Sequence, residues 1–174
     1  MPTTALIVSV PEAESLVQDL RAEFDPAAAE GVGAHITVLY PFVAPTEVDE
    51  ALLSALREAF STVAPFEFEL SGIGRFPEAT YLEPHPAEYF VQLTEAVVER
   101  YPRYRPYGGQ YVDIVPHLTV ADRSTEAAEE AERRLRSGLA GLLPIRVRCE
   151  AVEMIENSQG SWRTIHVLPI GSRT

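Results

Sequence analysis

The chain has 174 residues, with 14 arginines, no lysine and 26 acidic residues, which gives a formal net charge of −12. Hydrophobic residues make up 46% and charged residues 23%, a composition typical of globular domains that excludes a disordered or fibrous chain. The negative charge argues against nonspecific binding of long nucleic acids, which proteins hold mainly by neutralising phosphates with Lys and Arg. The single cysteine, Cys149, cannot form an internal disulfide, so we expect the hydrophobic core alone to stabilise the fold.

The N-terminal segment has no basic region, and its apolar run meets Pro11 too early for a signal-peptide core or a membrane span. We therefore expect a cytoplasmic protein that does not contact membranes.

Hydrophobic periodicity and turn residues divide the chain into alternating strands and helices. The predicted strands lie at 6–10, 35–42, 66–70, 73–82, 114–121, 145–155 and 162–170, and the predicted helices at 11–24, 47–60, 86–100 and 125–139. Thr46 and Ser124 are the predicted N-caps of the second and fourth helices.

The order strand, helix, strand, helix, strand, strand therefore occurs in each half of the chain, and the strand that ends at Leu82 can belong to both. This repetition predicts a duplicated α+β architecture. We expect one domain over residues 1–174, with two lobes at about 1–83 and 84–174 that can exchange a strand.

A short motif recurs at the same place in the two halves, as His35-Ile-Thr-Val38 and His117-Leu-Thr-Val120. Residues i and i+2 of a strand point to the same face, so His35 projects beside Thr37 and His117 beside Thr119. A purely structural alternative has each imidazole bonded to a backbone carbonyl and each threonine acting only as a strand former. Recurrence at matched positions favours a functional pair.

Two histidines suit the cleavage of a phosphodiester, which needs a base for the attacking oxygen and an acid for the leaving oxygen. With ordinary pKa values near 6.5, one imidazole can be neutral while its partner is protonated. The hydroxyl groups of Thr37 and Thr119 can donate hydrogen bonds to the phosphate oxygens. Zinc is an alternative role for the histidines, but neither motif has a third ligand at a suitable spacing, so we expect no metal and no cofactor.

The segments His35-Ile-Thr-Val-Leu-Tyr-Pro-Phe42 and Pro116-His-Leu-Thr-Val-Ala121 resemble the two signature motifs of the 2H phosphoesterase superfamily, in particular its bacterial 2'-5' RNA ligase-like branch. The resemblance spans nearly the whole chain. It implies a bilobal fold with antiparallel sheets around a central cleft and metal-independent chemistry on 2',3'-cyclic phosphates or 2'-5' linkages. It also implies that His35 and His117 form the catalytic pair and that Thr37 and Thr119 bind the phosphate.

The segment 100–111, just ahead of the second motif, contains three arginines and four of the seven tyrosines of the chain. Two prolines and a Gly-Gly pair predict a loop there. Arg105, Tyr107 and Tyr111 lie nearest in sequence to His117, and we expect them to bind substrate by gripping phosphate or stacking on a base. A packed surface loop without a binding role is an equal alternative.

Four further residues are weighed on their positions in the sequence. Arg75 follows two glycines in a predicted turn and is a weaker candidate for a phosphate ligand. Tyr40 lies five residues after His35, so a regular strand would place it on the opposite face, where its role is structural. Trp162 and His166 should share a face of the last strand, because their separation is even.

We therefore expect a monomeric phosphodiesterase that hydrolyses the 2',3'-cyclic phosphate, or a related cyclic or 2'-5' phosphodiester, of a small nucleotide or an RNA terminus. Two other functions stay open at this point. The same residues could join RNA ends through a 2'-5' linkage by the reverse reaction, or the protein could bind a nucleotide or RNA end without turnover.

Overall fold

The computed structural model describes residues 1–139 and 141–172 and has an α+β architecture, as the sequence predicts. The strands are β1 (Thr4–Ser9), β2 (His35–Leu39), β3 (Phe66–Phe76), β4 (Ala79–His85), β5 (Leu118–Asp122), β6 (Ile145–Cys149), β7 (Ala151–Glu156) and β8 (Arg163–Pro169). The helices are α1 (Pro11–Phe24), the short α2 (Pro26–Ala29), α3 (Glu50–Phe60), α4 (Glu88–Arg100) and α5 (Thr125–Gly138).

The described strands form one sheet of eight, in the order β6-β3-β4-β5-β2-β1-β7-β8, and every neighbouring pair is antiparallel. The order is symmetric about the junction between β5 and β2. The two strands that carry the His-x-Thr motifs are therefore the central pair of the sheet.

The two halves of this sheet each draw strands from both halves of the chain. One half contains β3 and β4 together with β5 and β6, whereas the other contains β1 and β2 together with β7 and β8. The halves of the sheet consequently do not coincide with residues 1–83 and 84–174. The division into lobes at that boundary stays a prediction.

The main hydrophobic core lies on the face of the sheet that α1, α3, α4 and α5 cover. Alternate residues of β1 show the two sides: Leu6 and Val8 enter this core, whereas Ala5 and Ile7 belong to a smaller cluster with Val32. Because Ile7 pairs with Thr37, the smaller cluster is on the same face as the first motif. That face is called the cleft face below.

Three predicted boundaries are wrong for identifiable reasons. The second helix begins after Asp49, whose carboxylate accepts from Leu52 N at 2.8 Å, while Thr46 lies in a preceding 3-10 turn. β3 continues through Gly72 and Gly74, so the turn comes later, before Ala79. The segment 145–155 forms two strands with different partners, because β6 pairs with β3 and β7 with β1.

The short helix α2 also replaces part of the linker expected after residue 26, and Asp25 caps it by accepting from Ala27 N at 3.0 Å. Ser124 does cap α5, as predicted, by accepting from Ala127 N at 3.1 Å. None of the described helices combines the length and the apolar character needed to cross a membrane.

Candidate active site

The cross-strand register brings the two motifs together at the centre of the sheet. Ile36 of β2 pairs with Leu118 of β5 in antiparallel orientation. One residue further in each direction, the same register places His35 opposite Thr119 and Thr37 opposite His117. The two imidazoles lie on the diagonal of this square, where side chains of neighbouring strands are about 7–8 Å apart, leaving room for a small group between them. Below, these four residues are called the quartet.

Each histidine is fixed by the same local hydrogen bond. His35 Nδ1 bonds to the carbonyl oxygen of Gly33 at 2.8 Å, and His117 Nδ1 bonds to that of Val115 at 2.7 Å. Because a carbonyl oxygen only accepts, Nδ1 carries the proton in both rings. Nε2 is therefore the nitrogen that can exchange a proton.

The first of these carbonyls is itself held in place. The amide of Ala34 donates to Glu14 Oε2 at 2.6 Å, which ties the backbone just before His35 to α1. A side chain at Gly33 would crowd the same carboxylate oxygen, at 3.2 Å. The sequence ahead of the first motif thus secures the orientation of its imidazole.

Burial lowers the pKa of both histidines below the ordinary value of 6.5. The hydrogen bond to the Gly33 carbonyl partly offsets this for His35; the guanidinium of Arg21 and the charge of His117 lower the pKa of His35 further, and the carboxylate of Asp25 raises it. The hydrogen bond to the Val115 carbonyl and the carboxylate of Asp122 both raise the pKa of His117. The two imidazoles are therefore close enough to interact but have different electrostatic surroundings.

Aromatic rings from β3 and β4 surround His117. The rings of Phe76 and Tyr81 lie with their centroids 5.3 Å from that of His117, and Phe76 meets it edge to face. Tyr81 pairs across the strands with Thr119, so it lies on the cleft face by register. Neither ring was anticipated from the sequence, although alternation along β4 could have placed Tyr81 there.

Tyr107 is the predicted loop residue that the structure brings to the quartet. Its amide donates to the carbonyl of Tyr40 at 2.7 Å, and its ring is nearly parallel to that of His117 at a centroid distance of 6.5 Å. Burial raises the pKa of its phenol, and a side-chain hydrogen bond with Thr37 partly offsets that rise in pKa. Tyr107 therefore touches both motifs.

Tyr107 adopts an unusual backbone conformation to reach this place. Its φ is 51°, in the left-handed region that disfavours residues other than glycine. Gly108 and Gly109 continue the turn with φ values of 66° and 80°. Such strain persists only where surrounding contacts hold it, and it is concentrated at functional sites.

In the rest of the 100–111 segment, two tyrosines anchor the loop to the core and other side chains are exposed. The rings of Tyr101 and Tyr104 pack edge to face against Phe42 and attach the loop to the core. Tyr111 meets only the edge of Tyr107 among the described aromatic contacts and is 68% exposed. Arg105 is exposed, and no hydrogen bond or ion pair among the described residues joins it to either motif.

A β-bulge follows the threonine of each motif and changes which later residues reach the cleft. In β2 the register passes from Thr37 to Leu39 and skips Val38; in β5 it passes from Thr119 to Ala121 and skips Val120. Because the extra residue reverses the alternation, the third residue after each threonine faces the cleft. These two residues are Tyr40 and Asp122.

Tyr40 was predicted to lie on the opposite face, and that prediction is wrong. Its ring meets the edge of Trp162 at 5.9 Å, and Trp162 packs against the small cluster on the cleft face. A further bulge, at Ile165 of β8 between the pairs Met154–His166 and Ile155–Thr164, separates Trp162 from His166, because His166 pairs with Met154 of the main core. The predicted common face for Trp162 and His166 is wrong for this reason.

Charged groups lie close to the quartet as well. Arg21 Nε and Asp25 Oδ2 form a buried ion pair of 3.0 Å, in which one terminal nitrogen of Arg21 has no hydrogen-bond partner in the described structure. Arg75, by contrast, donates to Glu132 Oε2 at 2.8 Å and is thus engaged in β3, not in a turn. The residues described contain no group of three or more His, Cys, Asp or Glu side chains placed to hold a metal ion.

A sequence model of the 2'-5' RNA ligase superfamily matches residues 9–161, a range that includes both motifs. The chain belongs to this superfamily. The resemblance of the two motifs to the 2H phosphoesterases is thereby confirmed. A curated protein of Bacillus cytotoxicus, whose name proposes a phosphoesterase, is 30% identical over 116 residues. That match covers 64% of this chain and 66% of the relative, so the chain spans slightly less than two thirds of that protein's length.

Solved structures of the superfamily share the fold. E. coli LigT complexed with 3'-AMP has a TM-score of 0.65 at 14% identity, covering 99% of this chain and 100% of that chain. TT0787 of Thermus thermophilus has a TM-score of 0.60 at 15% identity, covering 98% of this chain and 100% of that chain. At these identities the similarity establishes only the fold of this chain, a curled antiparallel sheet with helices on its outer face.

Proposed function

We propose that this protein hydrolyses the 2',3'-cyclic phosphate of a small nucleotide or an RNA terminus. The observation that carries the proposal is the quartet, in which two imidazoles with fixed Nδ1 protons and two threonine hydroxyls face one another across β2 and β5. Family membership and the structures of E. coli LigT complexed with 3'-AMP and with ATP support a nucleotide substrate.

In the proposed reaction, the phosphate lies between His35 and His117, and the hydroxyls of Thr37 and Thr119 donate to its non-bridging oxygens. A neutral imidazole accepts a proton at Nε2 from the attacking water, whose oxygen forms the new bond to phosphorus. The opposite imidazolium gives its Nε2 proton to the departing ribose oxygen as the bond from phosphorus to that oxygen breaks. The product is a phosphomonoester.

We assign the base to His35 and the acid to His117. Arg21 and the charge of His117 lower the pKa of His35 against the opposing effect of Asp25, whereas the carboxylate of Asp122 raises the pKa of His117. Tyr107 is proposed to bind substrate beside Thr37, and Tyr111 to line the outer edge of the site through its contact with Tyr107. Arg105 stays a weaker proposal for a phosphate contact, because it is exposed in the same loop.

The decisive experiment measures hydrolysis of 2',3'-cyclic nucleotides, with EDTA present, by the wild type and by His35→Ala, His117→Ala and His85→Ala. His85 is an exposed histidine at the end of β4 and is the matched control. We expect each quartet substitution to lower kcat by roughly 10²–10⁴-fold, the contribution typical of one general acid or base, while the control keeps wild-type activity. Persistence of turnover in the quartet variants would contradict the proposal.

The same measurement separates the rival functions. Folded wild type that binds 3'-AMP but turns over no cyclic phosphate would favour a binding module. Accumulation of a 2'-5' linked product from RNA ends would favour the joining reaction, which the same groups can catalyse in reverse. We expect hydrolysis to predominate, because water is present at far higher concentration than RNA ends.

A further inference from the structure

A groove of about 540 Å³ opens next to His117 and takes no part in the reaction proposed above. It lies between β4, the first turns of α4 and the segment that leads into β5. Its lining includes Tyr81, Glu83, Glu88, Val91, Val115 and Pro116. Its volume falls in the range of sites that hold small organic ligands.

The groove is continuous with the quartet through two of its own residues. Val115 supplies the carbonyl that fixes His117 Nδ1, and the ring of Tyr81 lies 5.3 Å from the imidazole. A substrate with its phosphate between the two histidines can therefore extend into the groove with the group next to that phosphate. In a nucleoside 2',3'-cyclic phosphate, that group is the ribose with its base.

Two glycines of β3 shape the floor. Gly74 pairs with Tyr81, and Gly72 pairs with Glu83. A methyl group at either glycine would overlap the side chain opposite, so the glycines allow the Tyr81 ring and the Glu83 side chain to lie flat across β3. The floor is thus an aromatic ring followed by a carboxylate.

The lining has a definite chemical character. Val91, Val115 and Pro116 supply apolar walls, and the buried ring of Tyr81 closes the groove on the side of His117. The charged side chains of the lining, Glu83 and Glu88, are both acidic. They repel a second phosphate but accept hydrogen bonds from amino groups, as carboxylates do from the amino group of cytosine.

We propose that this groove is the base subsite of the enzyme and that it selects bases with an exocyclic amino group over uracil. The inference rests on the proposed function, because it assigns the base of the same cyclic phosphate substrate. The apolar walls of Val91, Val115 and Pro116 hold the base, and the carboxylates of Glu83 and Glu88 accept from its amino group.

The experiment compares 2',3'-cyclic AMP, 2',3'-cyclic UMP and a methyl riboside 2',3'-cyclic phosphate, which has no base. The variants are Val91→Trp, which fills the groove from α4, and Glu88→Gln, which removes a charge at an exposed position. Glu95→Gln, an exposed carboxylate on the same helix outside the groove lining, is the matched control. Circular dichroism checks that each variant is folded.

We expect Val91→Trp to raise KM for 2',3'-cyclic AMP roughly tenfold or more, because the indole fills the space of the base, and to leave turnover of the baseless substrate unchanged. Glu88→Gln should reduce the preference for cyclic AMP over cyclic UMP several-fold and tests the assignment even where the tryptophan disturbs folding. Equal effects of Val91→Trp on nucleotide and baseless substrate, or an unchanged base preference in Glu88→Gln, would overturn the subsite. Wild type inactive on all three substrates would instead overturn the proposed function, and the subsite with it.

Discussion

At the scale of single residues, His35 and His117 share the same hydrogen-bonding arrangement and differ in their electrostatic surroundings. Both imidazoles donate Nδ1–H to the carbonyl two residues earlier, which presents Nε2 in the same chemical state. They differ in the charge nearby, since Arg21 acts on His35 and Asp122 on His117. That difference is the basis on which we propose separate acid–base roles for the two side chains.

The first prediction concerns the pH dependence of activity. Burial lowers the pKa of both histidines in the free protein, and a cyclic phosphodiester keeps its single negative charge throughout the accessible range. The fraction with one neutral and one protonated imidazole therefore peaks below pH 6.5, so we expect the bell-shaped profile of kcat/KM to have its maximum there. The profile of kcat should lie at higher pH, because bound phosphate stabilises the imidazolium. A kcat/KM maximum well above pH 7 would contradict this.

The second prediction uses Asp122 to identify the acid. Its carboxylate raises the pKa of His117, so Asp122→Asn should lower that pKa. If His117 is the acid, the alkaline limb of the kcat/KM profile moves to lower pH while the acid limb stays in place. Glu78→Gln, which removes a neighbouring carboxylate that acts on Asp122, should change the profile less. Movement of the acid limb alone would reverse the assignment of acid and base.

At the scale of elements, the bulges and glycines of the central strands decide which side chains face the cleft. The bulges at Val38 and Val120 bring Tyr40 and Asp122 to the same face as the quartet. Gly74 gives the Tyr81 ring space to lie across β3 beside His117. Each bulge or glycine acts through backbone geometry and positions a side chain from a different part of the chain.

The third prediction tests one of these devices. An alanine methyl at position 74 would overlap the Tyr81 ring, so Gly74→Ala should destabilise the protein by about 1–3 kcal/mol, as overpacking in a core does. It should also lower activity, because Tyr81 contacts His117. Gly138→Ala, at the end of α5 with nothing near the new methyl, is the control and should be neutral or slightly stabilising. Urea unfolding measures the stability of both variants. Equal stability of Gly74→Ala and Gly138→Ala would contradict the close approach at Gly74.

These bulges and glycines also explain which parts of the structure the sequence could predict. His35 could be placed beside Thr37 and His117 beside Thr119, because alternation holds across each motif, whereas the meeting of the two motifs was implied by the family resemblance. Tyr40 and Asp122 could not be placed, because a one-residue bulge reverses the alternation and Val38 gives no sign of it. Alternation along β4 could place Tyr81 on the cleft face, but the approach of Phe76 and Tyr81 to His117 depends on the pairing of separate strands, which the pattern of a single strand does not contain.

At the scale of the whole molecule, the sheet is organised around a single junction. β2 and β5 lie at its centre, and each side is completed by strands from both halves of the chain. α1 packs on β5 and α4 packs on β2, so the helices also cross from one half to the other. The geometry of the quartet therefore depends on the whole sheet being formed, and small changes at the junction are transmitted to both motifs.

Net charge is the other property of the whole molecule that bears on function. A charge of −12 opposes the approach of an anionic substrate, and this repulsion reaches about 30 Å at 10 mM salt but only about 8 Å at 150 mM. We therefore expect kcat/KM for 2',3'-cyclic nucleotides to rise at least about twofold between these salt concentrations. The increase should be larger for a short RNA with a terminal cyclic phosphate, because it carries more charge. Sodium chloride and tetramethylammonium chloride at equal ionic strength should agree if screening is the cause. A steady fall of kcat/KM with salt would mean instead that a local cluster of arginines dominates the field at the cleft.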